Sequence, residues 1–240
     1  MSIVFGCWGQ DGVLTKERAA KADQVAKTRP RGRPKTVNDD ARSAEIVAEA
    51  RATFYELGYG GTTMDLVAAR CRISKQTLYR LFPSKTDLFK AIIAEHRASM
   101  LALPRPTEEN LPFDKALELI FMIDIDEDQE RERDAFIHLA ISESQQSPEI
   151  ATLLHTYGAR PSRQLLTDWL VEQQRRGLIE IADAASGARM LMSMIFDAMI
   201  SRPGRPKDWP DRETRLRHLR HCIAIFTAGV QPRKGSFRTP

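Results

Sequence analysis

Cysteine is scarce in this sequence. Three cysteines occur among 240 residues, and Cys7, Cys71 and Cys222 lie far apart in the chain. An odd number of cysteines without CxxC spacing argues against a disulfide framework and against a cysteine-bound metal site. The sequence therefore predicts a protein of a reducing, cytoplasmic compartment.

Long apolar runs are missing as well. No stretch approaches the ~20 apolar residues that a membrane-spanning helix needs. Residues 1–12 also lack the basic start and the apolar core of a secretory signal. They are interpreted either as a tail or as the product of a wrongly assigned translation start. We expect no membrane partner.

Catalytic and cofactor signatures are absent too. The sequence contains no nucleophile motif, P-loop or glycine-rich dinucleotide signature. Its five histidines show no ligand spacing with carboxylates, and the acidic run Asp124–Asp134 is more typical of a solvated face or loop than of a metal site. We therefore expect no cofactor, no metal site and no enzymatic activity.

Helical periodicity dominates the remaining pattern. Apolar residues such as Ile46, Ala50 and Phe54 recur at three- and four-residue spacing, and little strand alternation is visible. The prediction is an all-α protein. The first helix runs from residue 39 or 40 to a C-cap at Gly58. The further predicted helices span 63–70, 74–81, 85–103, 112–124, 131–145, 148–157, 161–176, 183–200 and 211–229.

The segment from residue 62 to 89 carries the most specific signal. Thr62 with Asp65, and Ser84 with Asp87, have the spacing of capping boxes, and Ser74 is a third N-cap candidate. Two short helices, 63–70 and 74–81, then flank a turn at 71–73. This is the pattern of a helix-turn-helix, whose second helix enters the DNA major groove.

The core sequence Thr-Leu-Tyr-x-x-Phe-x-x-Lys, from Thr77 to Lys85, makes residues 41–100 resemble the DNA-binding domain of the TetR family of bacterial transcription regulators. The resemblance implies a homodimeric regulator of double-stranded DNA with two helical domains. It also implies a C-terminal cavity whose ligand releases the protein from its operator. Two departures stand out: the turn Cys71–Ile73 lacks the usual glycine, and Leu81 replaces a common histidine.

We accordingly predict four segments. A flexible basic arm (1–38) precedes a three-helix DNA-binding domain with the helix-turn-helix (39–100). A larger helical ligand-binding and dimerisation domain (101–230) follows, and 231–240 form a tail.

The predicted DNA contacts cluster around the second short helix. Side chains in its first turn point at base edges, where glutamine can pair with adenine and threonine can contact a thymine methyl. Between Arg70 and Lys90, six basic residues accompany the single acid Asp87, which predicts a positive surface. The expected base and phosphate contacts are Thr62 and Thr63, through the backbone amide groups near them, and the side chains of Lys75, Gln76, Thr77, Tyr79, Arg80 and Lys85. Leu78 and Phe82 should face inward instead.

The arm has a motif of its own. Arg29–Lys35 resembles an AT-hook, in which Arg29, Arg31 and Arg33 around Gly32 would enter a narrow A·T-rich minor groove. A charged, solubilising linker is the other interpretation. An architectural protein of A·T-rich DNA therefore remains the alternative function.

Two sets of apolar residues are predicted in the C-terminal part. A methionine- and aromatic-rich interior suits a pocket for a small apolar effector, although it equally suits a plain helical core. The pocket candidates are Phe121, Met122, Phe136, Trp169, Met192 and Phe196. The apolar faces of the last two helices are predicted to form the dimer interface, with Leu191, Ile195, Met199, Leu216, Leu219, Ile223 and Phe226.

Overall fold

A computed structural model describes the backbone of residues 35–106, 109–199 and 209–232, with side chains from residue 39 onward. The described part contains helices and no strand, so the predicted all-α fold is confirmed. None of its helices is long and apolar enough to cross a bilayer. The helices are α1 (Lys35–Gly61), α2 (Met64–Arg70), α3 (Lys75–Leu81), α4 (Lys85–Met100), α5 (Phe113–Ile120), α6 (Glu127–Gln146), α7 (Pro148–Leu153), a π-helical turn (Leu154–Ala159), α8 (Arg160–Arg175), α9 (Ala184–Met199) and α10 (Arg212–Gly229).

The arginines of the predicted AT-hook, Arg29, Arg31 and Arg33, lie outside the described residues. The described residues from Asp39 onward belong to one compact unit.

Side-chain caps determine where the short helices begin. The hydroxyl of Ser74 accepts the Thr77 N–H at 3.1 Å, and that of Ser84 accepts the Asp87 N–H at 3.1 Å, as predicted. The cap of α2 was predicted one residue too early. Thr63 caps this helix by accepting the N–H of Leu66 at 3.2 Å.

Gly58 and Arg72 are two of the four described residues with positive φ, and both lie where the chain turns. Gly58 has φ 70° and interrupts the helical path of α1, in agreement with the C-cap predicted there. Arg72 has φ 53° in the turn between α2 and α3. A side chain in this conformation costs roughly 1–2 kcal/mol. The turn therefore keeps its geometry without glycine, at the expense of some strain.

The acidic run forms part of a helix rather than a loop. Asp126 accepts the Gln129 N–H at 2.8 Å, and the Gln129 side chain accepts the Asp126 N–H. This capping box starts α6 at Glu127, earlier than predicted.

The helices predicted at 148–157 and 161–176 form one continuous stretch, because the π-helical turn connects α7 to α8. Gly158 does not break the helix. A β-carbon at this position would lie 3.2 Å from Cγ2 of Ile93, so the glycine allows α4 to pack closely here.

The N-terminal apolar core, here called the N-terminal cluster, extends beyond the helix-turn-helix. Helices α2 and α3 have only seven residues each and bury few apolar side chains. Helices α1 and α4 supply most of the remainder, and Phe136, Leu139 and Ile150 reach in from α6 and α7. The cluster comprises Ile46, Val47, Ala50, Phe54, Met64, Val67, Ala68, Leu78, Phe82, Leu88, Phe89, Ile92, Ile93, Phe136, Leu139 and Ile150.

The second core, here called the C-terminal cluster, corrects the predicted dimer interface. Helices α9 and α10 pack with α5 and α8 within one chain, and this packing already uses their apolar faces. All seven predicted interface residues are buried in the single chain, at most 8% exposed: Leu191, Ile195, Met199, Leu216, Leu219, Ile223 and Phe226. The periodicity correctly indicated that these faces are buried. They pack against helices of the same chain, however, and not against a second chain as predicted.

Helices α4 and α6 meet at a histidine. The rings of His96 and Phe136 stack with centroids 3.8 Å apart. Arg133 is buried nearby and donates to the carbonyl oxygens of Ser99 and Met122. Burial, followed by the positive charges of Arg133 and Arg51, lowers the pKa of His96 from 6.5 to about 3. The folded protein thus contains a neutral imidazole at this junction.

This histidine predicts a loss of stability in mild acid. Because its pKa is lower in the folded state, the unfolded chain binds more protons between about pH 3 and 6.5. The stabilisation is present above pH 6.5 and decreases as the pH falls through that window. Between pH 7 and 5 we expect a loss of about 1–2 kcal/mol in the free energy of unfolding, measured by urea denaturation. His96→Gln should abolish that part of the loss.

The matched control is His221→Gln, at an exposed position of α10. If the parent and His96→Gln lose equal stability between pH 7 and 5, the acid sensitivity has another source.

Candidate nucleic-acid interface

The exposed side of α3 is polar and follows the predicted pattern. Gln76 is exposed, and the Tyr79 side chain is 46% exposed. Thr77 is half-buried, with its hydroxyl 2.9 Å from that of Ser74. The opposite side of the helix carries Leu78 into the N-terminal cluster. The first turn of α3 can therefore present an amide and a hydroxyl to a groove.

Both cations of α3 are held by carboxylates of other helices. Nζ of Lys75 lies 2.6 Å from Asp65 of α2. Arg80 forms a two-pronged ion pair with Asp39 of α1, with both N–O distances 2.8 Å. The hydrogen bond from each carboxylate raises the pKa of its partner, Lys75 or Arg80. Each cation thus already has an anionic partner in the unbound protein.

Lys85 was predicted to contact phosphate, but the structure gives it an internal role. Its ammonium donates to the carbonyl oxygens of Tyr59 at 2.8 Å and Thr62 at 3.0 Å. It also lies 4.2 Å from the centroid of the Tyr59 ring. Burial lowers the pKa of this lysine. Lys85 therefore fixes the connection between α1 and α2, and we correct its assignment as a phosphate contact.

The same connection is held from the C-terminal part of the chain. The Tyr59 N–H donates to a carboxylate oxygen of Glu143 on α6 at 2.8 Å. A β-carbon at Gly58 would lie only 2.6 Å from that oxygen, so the glycine makes room for the carboxylate. Lys85 consequently binds the carbonyl oxygen of Tyr59, and Glu143 binds the N–H of the same residue.

The phosphate contact predicted for the backbone amide groups near Thr62 and Thr63 stays a prediction, and the structure gives the Thr62 side chain another role. This side chain is fully buried, and its hydroxyl donates to the Gly58 carbonyl at 2.8 Å. The Thr62 side chain is therefore not available to DNA. Thr63 is exposed and serves as the cap of α2.

The predicted positive surface is largely neutralised. Arg70 pairs with Glu56 at 2.7 Å, and Lys90 pairs with Asp87 at 3.0 Å. Of the six basic residues between Arg70 and Lys90, only Arg72 has no partner within the described part of the chain. The count of charges between residues 70 and 90 did not show this neutralisation, because Asp39, Glu56 and Asp65 lie outside that range. Sequence spacing predicts an ion pair only when the acid and the base lie three or four residues apart on the same helix.

The predicted effector pocket is not a single site. Phe136 packs in the N-terminal cluster, whereas Phe121 is buried in the C-terminal cluster with its ring edge-on to Phe196 at 5.7 Å. Trp169 stacks on Phe113 at 5.3 Å. Met192 packs against the C-terminal cluster, and the Met122 carbonyl accepts from Arg133. These residues are mainly core, as the alternative interpretation held.

A cleft with a different lining lies between α4, the π-helical turn and α8. It has a volume of about 450 Å³. Arg97 and Arg160 line it, and neither has an ion-pair partner among the described residues. The complete lining is Arg97, Thr156, Arg160, Pro161, Gln164 and Leu165.

No three His, Cys, Asp or Glu side chains come close enough to hold a metal ion in residues 35–106, 109–199 and 209–232.

Two protein-family models match this chain and show which family it belongs to. A family model described as bacterial regulatory proteins, tetR family, matches residues 46–92, which include α2, α3 and their turn. A second model, described as AefR-like transcriptional repressor, C-terminal domain, matches residues 129–229. The chain belongs to the TetR family of transcription regulators. It is therefore a DNA-binding protein, as the sequence predicted.

Individual proteins similar to this chain carry names of regulators. The HTH-type transcriptional regulator YvkB of Bacillus subtilis is 26% identical over 188 residues, or 77% of this chain and 95% of that protein. The HTH-type transcriptional activator FasR of Mycolicibacterium smegmatis is 32% identical over 81 residues, which cover 32% of this chain and only 37% of FasR. The solved structure of the flavonoid-responsive regulator FrrA has a TM-score of 0.57 at 23% identity, covering 81% of this chain and 99% of FrrA.

The contacts of Lys85 predict a structural role that can be measured. Lys85→Met would leave the carbonyl oxygens of Tyr59 and Thr62 without their donor, so we expect unfolding to become easier by roughly 1–3 kcal/mol. The dependence of DNA affinity on salt should not change. Lys115→Met, at an exposed position of α5, is the control for loss of a lysine. Parental stability together with a salt slope smaller by about one unit would instead indicate a phosphate contact.

Proposed function

We propose that this chain is a homodimeric repressor that binds a palindromic operator through α3 and is released by a small-molecule effector. The observation that carries the proposal is the polar first turn of α3, where Gln76 is exposed and Thr77 half-buried, on a helix whose Leu78 is buried in the core. The description of the matching C-terminal model as that of a repressor supports the direction of regulation.

In the proposed complex, Gln76 pairs with an adenine, and Thr77 contacts a neighbouring thymine methyl. The exposed Tyr79 hydroxyl binds a backbone phosphate, and Thr63 lies at the phosphates beside α2. Arg29, Arg31 and Arg33 of the arm extend the contact into an adjacent A·T-rich minor groove.

The dimer interface is proposed on the outer faces of α9 and α10. The seven buried residues of the C-terminal cluster are already covered by helices of the same chain, at most 8% exposed. Met190 of α9 is 60% exposed and Ile225 of α10 is 56% exposed, the two highest values among the large apolar side chains of the described residues. Association of two copies over these faces would bury both residues and leave the intrachain core intact.

Operator selection and interface variants test this arrangement together. Duplexes selected from a random pool should contain an inverted repeat with half-site centres about 34–36 Å apart, or a multiple of that spacing. Ile225→Asp places an unpaired carboxylate in the interface, so we expect a folded monomer in sedimentation and loss of tight operator binding.

Leu219→Ala is the matched core variant. It should cost about 2–5 kcal/mol of stability but remain dimeric when folded. A folded, dimeric Ile225→Asp protein with parental operator affinity would place the interface elsewhere. Selection of single, non-repeated sites would contradict the palindromic operator.

The effector is proposed to bind in the cleft lined by Arg97 and Arg160. Its volume of about 450 Å³ lies within the ~300–1,000 Å³ that small-molecule pockets occupy. Unpaired guanidinium groups favour a carboxylate or similar anion, while Pro161 and Leu165 offer apolar contact. The cleft therefore suits an anion with an apolar body rather than the purely apolar molecule that the sequence suggested.

Release would follow from the position of the cleft beside α4. This helix supplies Arg97 at one end, and at the other it begins next to α3. A ligand that binds better when α4 is shifted lowers operator affinity by its coupling energy, typically about 1–3 kcal/mol, or about 5–150-fold.

Benzoate and octanoate serve as probes, with benzamide and octanamide as uncharged counterparts. We expect the carboxylates to raise the melting temperature and to weaken operator binding, and the amides to do neither. Arg97→Gln and Arg160→Gln should remove both responses without altering operator affinity in the absence of probe. Equal responses to acids and amides, or unchanged responses in both variants, would exclude this cleft as the effector site.

A further inference from the structure

The two ion pairs of α3 join it to different helices at its two ends. Lys75, the first residue of α3, pairs with Asp65 of α2. Arg80, near the last residue, pairs with Asp39 of α1. The carboxylates therefore occupy both positive charges on the helix that is proposed to enter the groove.

Stability does not explain these pairs. The side chains of Lys75 and Asp65 are 65% and 59% exposed, and the Arg80 side chain is also exposed. Exposed ion pairs contribute only about 0–1 kcal/mol to folding. Helix α3 is instead anchored by Leu78 in the core and by its Ser74 cap. The fold would keep α3 in place without either carboxylate.

DNA competes for the same cations. Each lysine or arginine that neutralises a phosphate releases condensed counterions, and this term supplies most of the affinity for DNA of arbitrary sequence. A carboxylate that already holds the cation must be displaced, and it also repels the approaching phosphates. Among the neighbouring cations, Arg70, Lys85 and Lys90 have partners as well, which leaves Arg72 as the one unpaired cation of this window among the described residues.

We propose that Asp65 and Asp39 are specificity-determining residues that suppress binding to DNA of arbitrary sequence by occupying Lys75 and Arg80. The proposal rests on the proposed function, since it requires α3 to lie against DNA. Operator binding then depends on the base contacts of the uncharged residues of α3, which arbitrary DNA cannot supply. With the two carboxylates in place, the affinity for DNA depends less on contacts to the charged phosphates and more on contacts to the bases.

The experiment measures binding of the full chain to a duplex of random sequence between about 50 and 200 mM salt. Asp65→Asn and Asp39→Asn each free one cation, so each should steepen the salt slope by about 0.9 units. At about 0.1 M salt this corresponds to roughly eightfold tighter binding for each variant, and the double variant should show both effects together. Asp128→Asn, which removes an exposed carboxylate paired with Arg131 on α6, is the matched control and should bind as the parent does.

Gln76→Ala separates this inference from the proposed function, because Gln76 is an exposed, uncharged residue of α3. If Gln76→Ala lowers operator affinity while Asp65→Asn and Asp39→Asn leave random-DNA binding unchanged or weaker, the suppressing role is refuted and α3 remains the reader. If Gln76→Ala leaves operator affinity unchanged and neither carboxylate variant binds random DNA more tightly, α3 does not face DNA, and the inference falls with the proposed function. Melting temperatures near that of the parent establish that the variants are folded.

Discussion

The position of α3 depends on an apolar core that the helix-turn-helix cannot build by itself. Two helices of seven residues each bury too little surface for independent stability, so Leu78 packs among side chains of α1 and α4. Phe136 and Ile150, from α6 and α7, belong to the same cluster. Close-packed cores respond to displacement as a unit. The presentation of α3 is therefore tied to helices far along the chain.

Polar contacts also connect α6 with α1 and α4. Glu143 of α6 binds the Tyr59 N–H, and Glu132 of the same helix pairs with Arg51 of α1 at 3.0 Å. Arg133 ties α6 to the end of α4 through the Ser99 carbonyl. Movement of α6 would thus be transmitted to α1 and α4 at three separate points. His96 lies at this junction in its neutral form, so the stability of the junction also depends on the pH.

Much of this fold could be predicted because its signals are local. Ser74 and Ser84 start their helices through hydrogen bonds to residues three positions away, which the sequence displays directly. Long-range partners were not accessible in the same way. Lys85 binds backbone carbonyls more than twenty residues earlier, and no side-chain pattern encodes that choice. Periodicity showed that Leu219 faces a core, but not whether one chain or two would form it.

The carboxylates beside α3 bear on how many copies of the regulator a cell must maintain. A genome offers about 10⁶–10⁹ competing non-specific sites, and they sequester a regulator in proportion to its affinity for them. Under the role proposed for them, Asp65 and Asp39 reduce that sequestration, so a larger fraction of molecules is free to reach a specific site. A gene could then be regulated by a small pool of protein.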